Sequence, residues 1–111
     1  MTRTIPFTLT ALLALNLPLP ALADAPVHAL VIQDHRFEPA EIRVPARQRV
    51  KLVVDNRDAT AEEFESVDLR REKIIPGNSK ASVWVRPLPK GEYQFYGEFH
   101  QSTAQGRLIA E

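Results

Sequence analysis

The sequence has 111 residues, enough for one small domain. Its 14 Lys and Arg are balanced by 14 Asp and Glu, which removes the positive surplus that nucleic-acid binding requires. It contains no cysteine, which excludes disulfides, thiolate zinc and iron–sulfur sites, thiol nucleophiles, a copper thiolate and lipid attachment through a cysteine.

Residues 1–23 read as a secretory signal peptide. Arg3 supplies a positive head, the stretch from Ile5 to Ala23 carries no charge, and Ala21-Leu22-Ala23 puts small residues where a signal peptidase reads them. The apolar run is short, and Pro18 and Pro20 interrupt it, which argues against a membrane-spanning anchor. The expected mature unit is a single domain over residues 24–111, exported to the periplasm and without stable membrane insertion. Loss of Arg3 leaves it with one net negative charge.

The rest of the chain has the pattern of short strands. Val27–Gln33 is a first strand, Phe37-Glu38-Pro39-Ala40 a turn-like link, and Glu41–Val44 alternates apolar and charged residues. Arg49–Asp55 puts Val50, Leu52 and Val54 on one face. Asn56 to Thr60 is a polar loop, and Glu63–Leu69 is either a strand or, with Ala61-Glu62-Glu63-Phe64, a helical turn. Ile74 and Ile75 precede the turn Pro76-Gly77-Asn78. Lys80–Arg86, the strand running to Gly97, and Gly106–Ala110 complete the series. Seven to eight short strands with turn signals between them predict an all-β Greek-key sandwich or barrel.

Few residues carry chemistry. His28 lies near the mature N-terminus, His35 at the end of the first strand, and His100 in the loop Glu98–Gly106. A loop held between two strands is where a β scaffold presents ligands, so His100 is either a ligand or an exposed loop histidine. In Glu62-Glu63-Phe64-Glu65, period two puts Glu63 and Glu65 on one face and Phe64 on the other, toward the core. The two carboxylates either chelate a cation or face water. The serines lack a nucleophile-elbow context, and the four glycines are isolated, so neither serine hydrolysis nor a phosphate-cradling loop is indicated. Arg70-Arg71-Glu72-Lys73 is the only basic cluster and reads as a surface turn or a partner contact. Trp84 and Tyr96 either flank an electron path or pack on the sheet faces.

The C-terminal third, Gly91-Glu92-Tyr93-Gln94-Phe95-Tyr96-Gly97 followed by His100 and Gly106-Arg107-Leu108-Ile109, resembles the end of a cupredoxin. By that resemblance His100 matches the loop histidine, Gly97 stands in the place of the copper-binding cysteine, and Ala104 falls near the axial methionine. Glu63 stands where the first copper histidine is delivered. Phe37–Ala46, Glu62–Ser66, Arg71-Glu72-Lys73 and Phe99-His100 with Thr103–Gly106 further resemble the cupredoxin domain of EfeO-type iron-uptake proteins. The resemblance implies a cupredoxin-like fold, copper binding, and a role beside an iron permease or a periplasmic copper-binding partner, supporting oxidation of ferrous iron. A metal-free adaptor and a copper carrier for tolerance are the competing expectations.

Without sulfur, the expected metal site is one of histidine and carboxylate: Glu63 and His100 converging at one end of the sandwich, with Glu98, Glu65 and His35 as further donors. Such donors suit Cu(II), iron or zinc and offer nothing soft for Cu(I).

Overall fold

The computed structural model describes residues 2–12, 14 and 25–111. The second part of the signal-peptide assignment, residues 15–23 with its cleavage site, lies outside the described residues, and no helix among the described ones is long and apolar enough to cross a membrane.

Among the described residues nine strands form two sheets. They are β1 (Val27–Gln33), β2 (Arg36–Glu38), β3 (Glu41–Val44), β4 (Val50–Asn56), β5 (Glu62–Ser66), β6 (Arg71–Ile75), β7 (Ser79–Val85), β8 (Gly91–Gly97) and β9 (Gln105–Ala110). One sheet has the order β2-β1-β4-β7, the other β3-β9-β8-β5-β6. β1 runs parallel to β4 and β3 parallel to β9, while the remaining pairs are antiparallel. The all-β expectation holds, with two refinements. The link at Phe37 contains the short strand β2, and the basic cluster from Arg71 onward is strand, not turn. Glu62–Ser66 is also strand, so the helical-turn alternative is not adopted.

Period-two alternation builds the core. Leu30 and Ile32 of β1, Leu52 and Val54 of β4, Phe64 of β5, Phe95 of β8 and Leu108 of β9 are all fully buried between the sheets. Phe37, Phe64 and Phe95 form an aromatic trio beneath one end of the sandwich. Phe37 meets Phe95 edge-on at 5.1 Å, and Phe64 stacks on Phe95 at 5.1 Å.

The loop between β4 and β5 is tied down at that same end. The buried Asn56 amide donates to the carbonyls of Thr60, Ile75 and Pro76. Gly77 lets the β6–β7 turn close onto this loop, since a Cβ there would lie 2.0 Å from the Ala59 carbonyl oxygen. The loop therefore holds Asp58 at a fixed place beside the β1–β2 hairpin.

Candidate metal site

Four segments meet at one end of the sandwich: the β1–β2 turn, the β4–β5 loop, the start of β5, and the loop after β8. The β1–β2 connection has only two residues, Asp34 and His35, with Gln33 paired to Arg36. Both have left-handed backbones (φ 53° and 55°), the signature of a tight hairpin turn of primed type. Glycine fills such positions without steric cost, whereas histidine is strained there. Asp58 offsets this strain: its carboxylate accepts the backbone N–H of Asp34 at 2.8 Å and of His35 at 3.0 Å. Those bonds, the His35 one foremost, hold the Asp58 carboxyl below its ordinary range. Its Oδ2 also lies 3.4 Å from His35 Nδ1.

Opposite stands His100, at the end of a 3-10 turn over Glu98–His100. Its carbonyl accepts the Ala104 N–H at 2.8 Å, and the Gly97 N–H bonds the Ala104 carbonyl at 2.9 Å, so the loop closes on itself. Thr103 joins the two halves, its hydroxyl donating to the His35 carbonyl at 2.5 Å. The imidazoles of His35 and His100 stack with centroids 3.6 Å apart and planes inclined by 10°.

Glu62 completes the cluster. It is 1% exposed, yet both carboxylate oxygens are engaged. Oε1 accepts the backbone N–H of Glu63 (3.0 Å) and of Phe99 (2.9 Å), and Oε2 accepts His100 Nδ1–H at 2.5 Å. Glu62 also explains Gly97. A Cβ built at Gly97 would stand 2.7 Å from the Glu62 carboxyl carbon and 2.7 Å from the Ala104 Cβ. The volume that a side chain at 97 would need is therefore filled by the Glu62 carboxylate.

Two of the expected donors, His35 and His100, thus come together, and the third partner is Glu62. Donor atoms of these three residues lie within 4.8 Å of one another. Glu63 does not converge with His100. It lies on the other side of β5, because Phe64 and Glu62 share the inward face and Glu63 and Glu65 the outward one. There Glu63 and Glu65 gather with Glu72 of β6, which is paired directly opposite Glu65. Glu98 is exposed on the 3-10 turn and lies outside both groups. Neither Asp58 nor Glu62 is marked as a site residue by the sequence pattern.

On the outward face the opposed carboxyls alter titration. A carboxyl–carboxyl hydrogen bond with Glu72, and then partial burial, push Glu63 up from its ordinary 4.5 to about 7. Tyr96 beside them is raised by burial and by the nearby Glu98, Glu65, Glu63 and Glu72. The folded chain thus keeps a proton on Glu63 that the unfolded chain has released. Stability is expected to fall as pH rises from 4.5 to about 7 and to level off above. Glu72→Gln should flatten that part of the profile. A melting-temperature series that keeps its slope in this variant would show that Glu63 is not its source.

The donor set decides which metal centre fits. A thiolate site does not: the chain has no cysteine and Gly97 has no room for a side chain beside Glu62. Two imidazoles and a carboxylate suit Cu(II), whose preferred donors are nitrogen and oxygen. Parallel rings hold their in-plane lone pairs in parallel planes, so one ring must turn for both to reach one ion. His35 is the one with freedom to turn: its side chain is 43% exposed, whereas Glu62 fixes His100.

The family model described as "Cupredoxin-like domain" matches residues 6–110. The chain is 44% identical over 80 residues to an uncharacterized protein of Rickettsia prowazekii (strain Madrid E), a match taking in 72% of this chain and 64% of that one. The chain thus spans less than two thirds of the length of this relative. Among solved structures it is similar to auracyanin A, a "blue" copper protein from Chloroflexus aurantiacus, with TM-score 0.66 and 15% identity over 77% of this chain and 98% of that one. It is also similar to the metal-binding domain of the Streptococcus pneumoniae Cu(I)-exporting P-type ATPase CopA, with TM-score 0.66 and 10% identity over 77% of this chain and 84% of that one.

Proposed function

The chain belongs to the cupredoxin-like domain family, and from that premise we propose that it binds copper as Cu(II) at a site of imidazole and carboxylate in place of a thiolate. One observation carries this reading: Glu62 fills the space beside Gly97, bonds His100 and lies within 4.8 Å of a His35 donor atom, which puts an oxygen donor where the cupredoxin resemblance expects sulfur. His35, His100 and Glu62 would hold the ion, which supplies a Lewis-acidic centre with access to one-electron chemistry.

The residues have separable tasks. Glu62 orients His100 and brings a negative charge, and its own orientation is fixed by the two amide N–H groups on Oε1. The contact between His100 Nδ1 and Glu62 Oε2 fixes the plane of the ring that would meet the ion. Asp58 and Thr103 hold the strained His35 turn against the His100 loop. With no sulfur among its donors, the site favours the oxidised state over rapid electron shuttling.

The cellular setting is part of the same proposal. The leader over residues 1–23 supports a periplasmic location, and the resemblance to EfeO-type domains supports a role in iron uptake. The partner would be a membrane iron permease or a periplasmic copper-binding protein. One observation favours the metal-free adaptor instead. The Nδ1 atom of each imidazole already faces a carboxylate, so the cluster is satisfied as it stands.

Thermal unfolding separates the two. A Cu(II) site is expected to saturate at one equivalent and to stabilise the fold by about 2.7 kcal/mol when free Cu(II) is a hundredfold above Kd. An adaptor would show no shift with Cu(II).

A further inference from the structure

The charges of edge strand β6 alternate between its two faces, and that alternation points to a second site. Along β6, Arg71 and Lys73 are paired opposite the inward-facing Ser66 and Phe64, while Glu72 is paired opposite the outward-facing Glu65. Edge strand β6 therefore carries its cations toward β7, the edge strand of the other sheet, and its carboxylate toward the acidic face. Between the two edges lies a cavity of about 260 Å³, lined by Arg49, Arg71, Lys73, Ser82, Trp84 and Glu72.

The cations there are organised around one residue. The Arg49 guanidinium carbon sits 3.9 Å from the centre of the Trp84 ring, a cation–π stack. Arg71 Nε–H donates to the Trp84 carbonyl at 2.6 Å. Lys51 approaches the same ring at 5.6 Å. Elsewhere Arg43, Arg57 and Arg107 each have a carboxylate within 4 Å. Among the described residues Arg49, Lys51, Arg71 and Lys73 have none, as is also true of Arg36, Arg47, Arg70, Lys80, Arg86 and Lys90, so what sets Arg49 and Arg71 apart is their shared anchorage on Trp84. Charged edge residues also keep strands from pairing with other chains, but that task requires only charge. It does not require two guanidinium groups fixed to one tryptophan.

We infer that this cleft binds an oxyanion, phosphate or carboxylate, between the Arg49 and Arg71 guanidinium groups, with Lys73 and the Ser82 hydroxyl at its rim. Planar guanidinium forks match two oxygens of such a group, and fixing them in advance reduces the ordering cost of binding. The site is independent of the His35–His100 cluster.

Trp84 is the sole tryptophan, so its indole N–H resonance is a single reporter. The whole chain is titrated with inorganic phosphate, and separately with a short glutamate peptide, at constant ionic strength set by chloride. Saturable displacement of the Trp84 signal by at least one of them is expected, with affinity about tenfold weaker in Arg71→Gln and in Arg49→Lys, which keeps the charge but loses the fork. Arg43→Gln should bind as the parent does. Tighter binding of phosphate identifies a free anion as the ligand, and tighter binding of the peptide an acidic protein segment. No saturation with either probe, or equal affinity in Arg71→Gln, overturns the inference.

Discussion

His35→Gly is expected to weaken Cu(II) binding by about a hundredfold while leaving stability unchanged or raising it by up to about 1 kcal/mol. The opposite signs follow from one backbone angle. At φ 55° histidine occupies a region that costs an L residue about 1–2 kcal/mol, and glycine none. The change also creates Asp-Gly, the preferred pair for a two-residue hairpin turn. Against this stand glycine's larger folding entropy and the lost stack on His100. His100→Ala should weaken binding similarly but destabilise by about 2–3 kcal/mol, because it leaves Glu62 Oε2 buried without its partner. Chemical denaturation beside Cu(II) titration of both variants checks the contrast. A His35→Gly protein that loses stability and keeps its copper affinity would mean that the strained histidine serves the fold and not a ligand.

Glu62→Ala should produce the largest loss of stability, about 3–5 kcal/mol. Its carboxylate accepts the Phe99 N–H and the Glu63 N–H, and it is the partner of His100 Nδ1. Removing it strands these donors in a site that is 1% exposed and opens a void next to Gly97. A small domain with total stability of about 5–15 kcal/mol would be left barely folded at the low end of that range. Glu62→Gln keeps the shape and one acceptor oxygen and should cost about 1–2 kcal/mol. Equilibrium urea unfolding of the three proteins gives the order. An alanine variant as stable as the glutamine one would show that the Glu62 hydrogen bonds contribute little.

Much of this architecture is legible in the residues themselves. Alternating valines, leucines and isoleucines bounded by Pro, Gly and Asn turns specify short strands, and both burial and pairing follow that alternation. Strand β6 escapes because it is a sheet edge. Four of its five residues are exposed, so Arg71-Glu72-Lys73 lacks the apolar alternation that marks a half-buried strand. The site shows the same division. His35 and His100 are evident as the histidines near strand ends, whereas the carboxylate that gathers with them is Glu62, one residue before the expected Glu63. The correction is contained in the sequence: once Phe64 is placed in the core, period two puts Glu62 and not Glu63 beside it. Asp58 could not be read this way, since its contacts with Asp34 and His35 span a loop and 23 or 24 residues of chain.

In the proposed copper site the Glu62 carboxylate and two imidazoles take the place of a thiolate. Electron paramagnetic resonance of the chain with one equivalent of Cu(II) tests it most directly. A tetragonal, colour-poor Cu(II) centre with coupling to two imidazole nitrogens is expected, reduced to one in His35→Gly and in His100→Ala. A spectrum identical in the parent and both variants would place the copper elsewhere and contradict it.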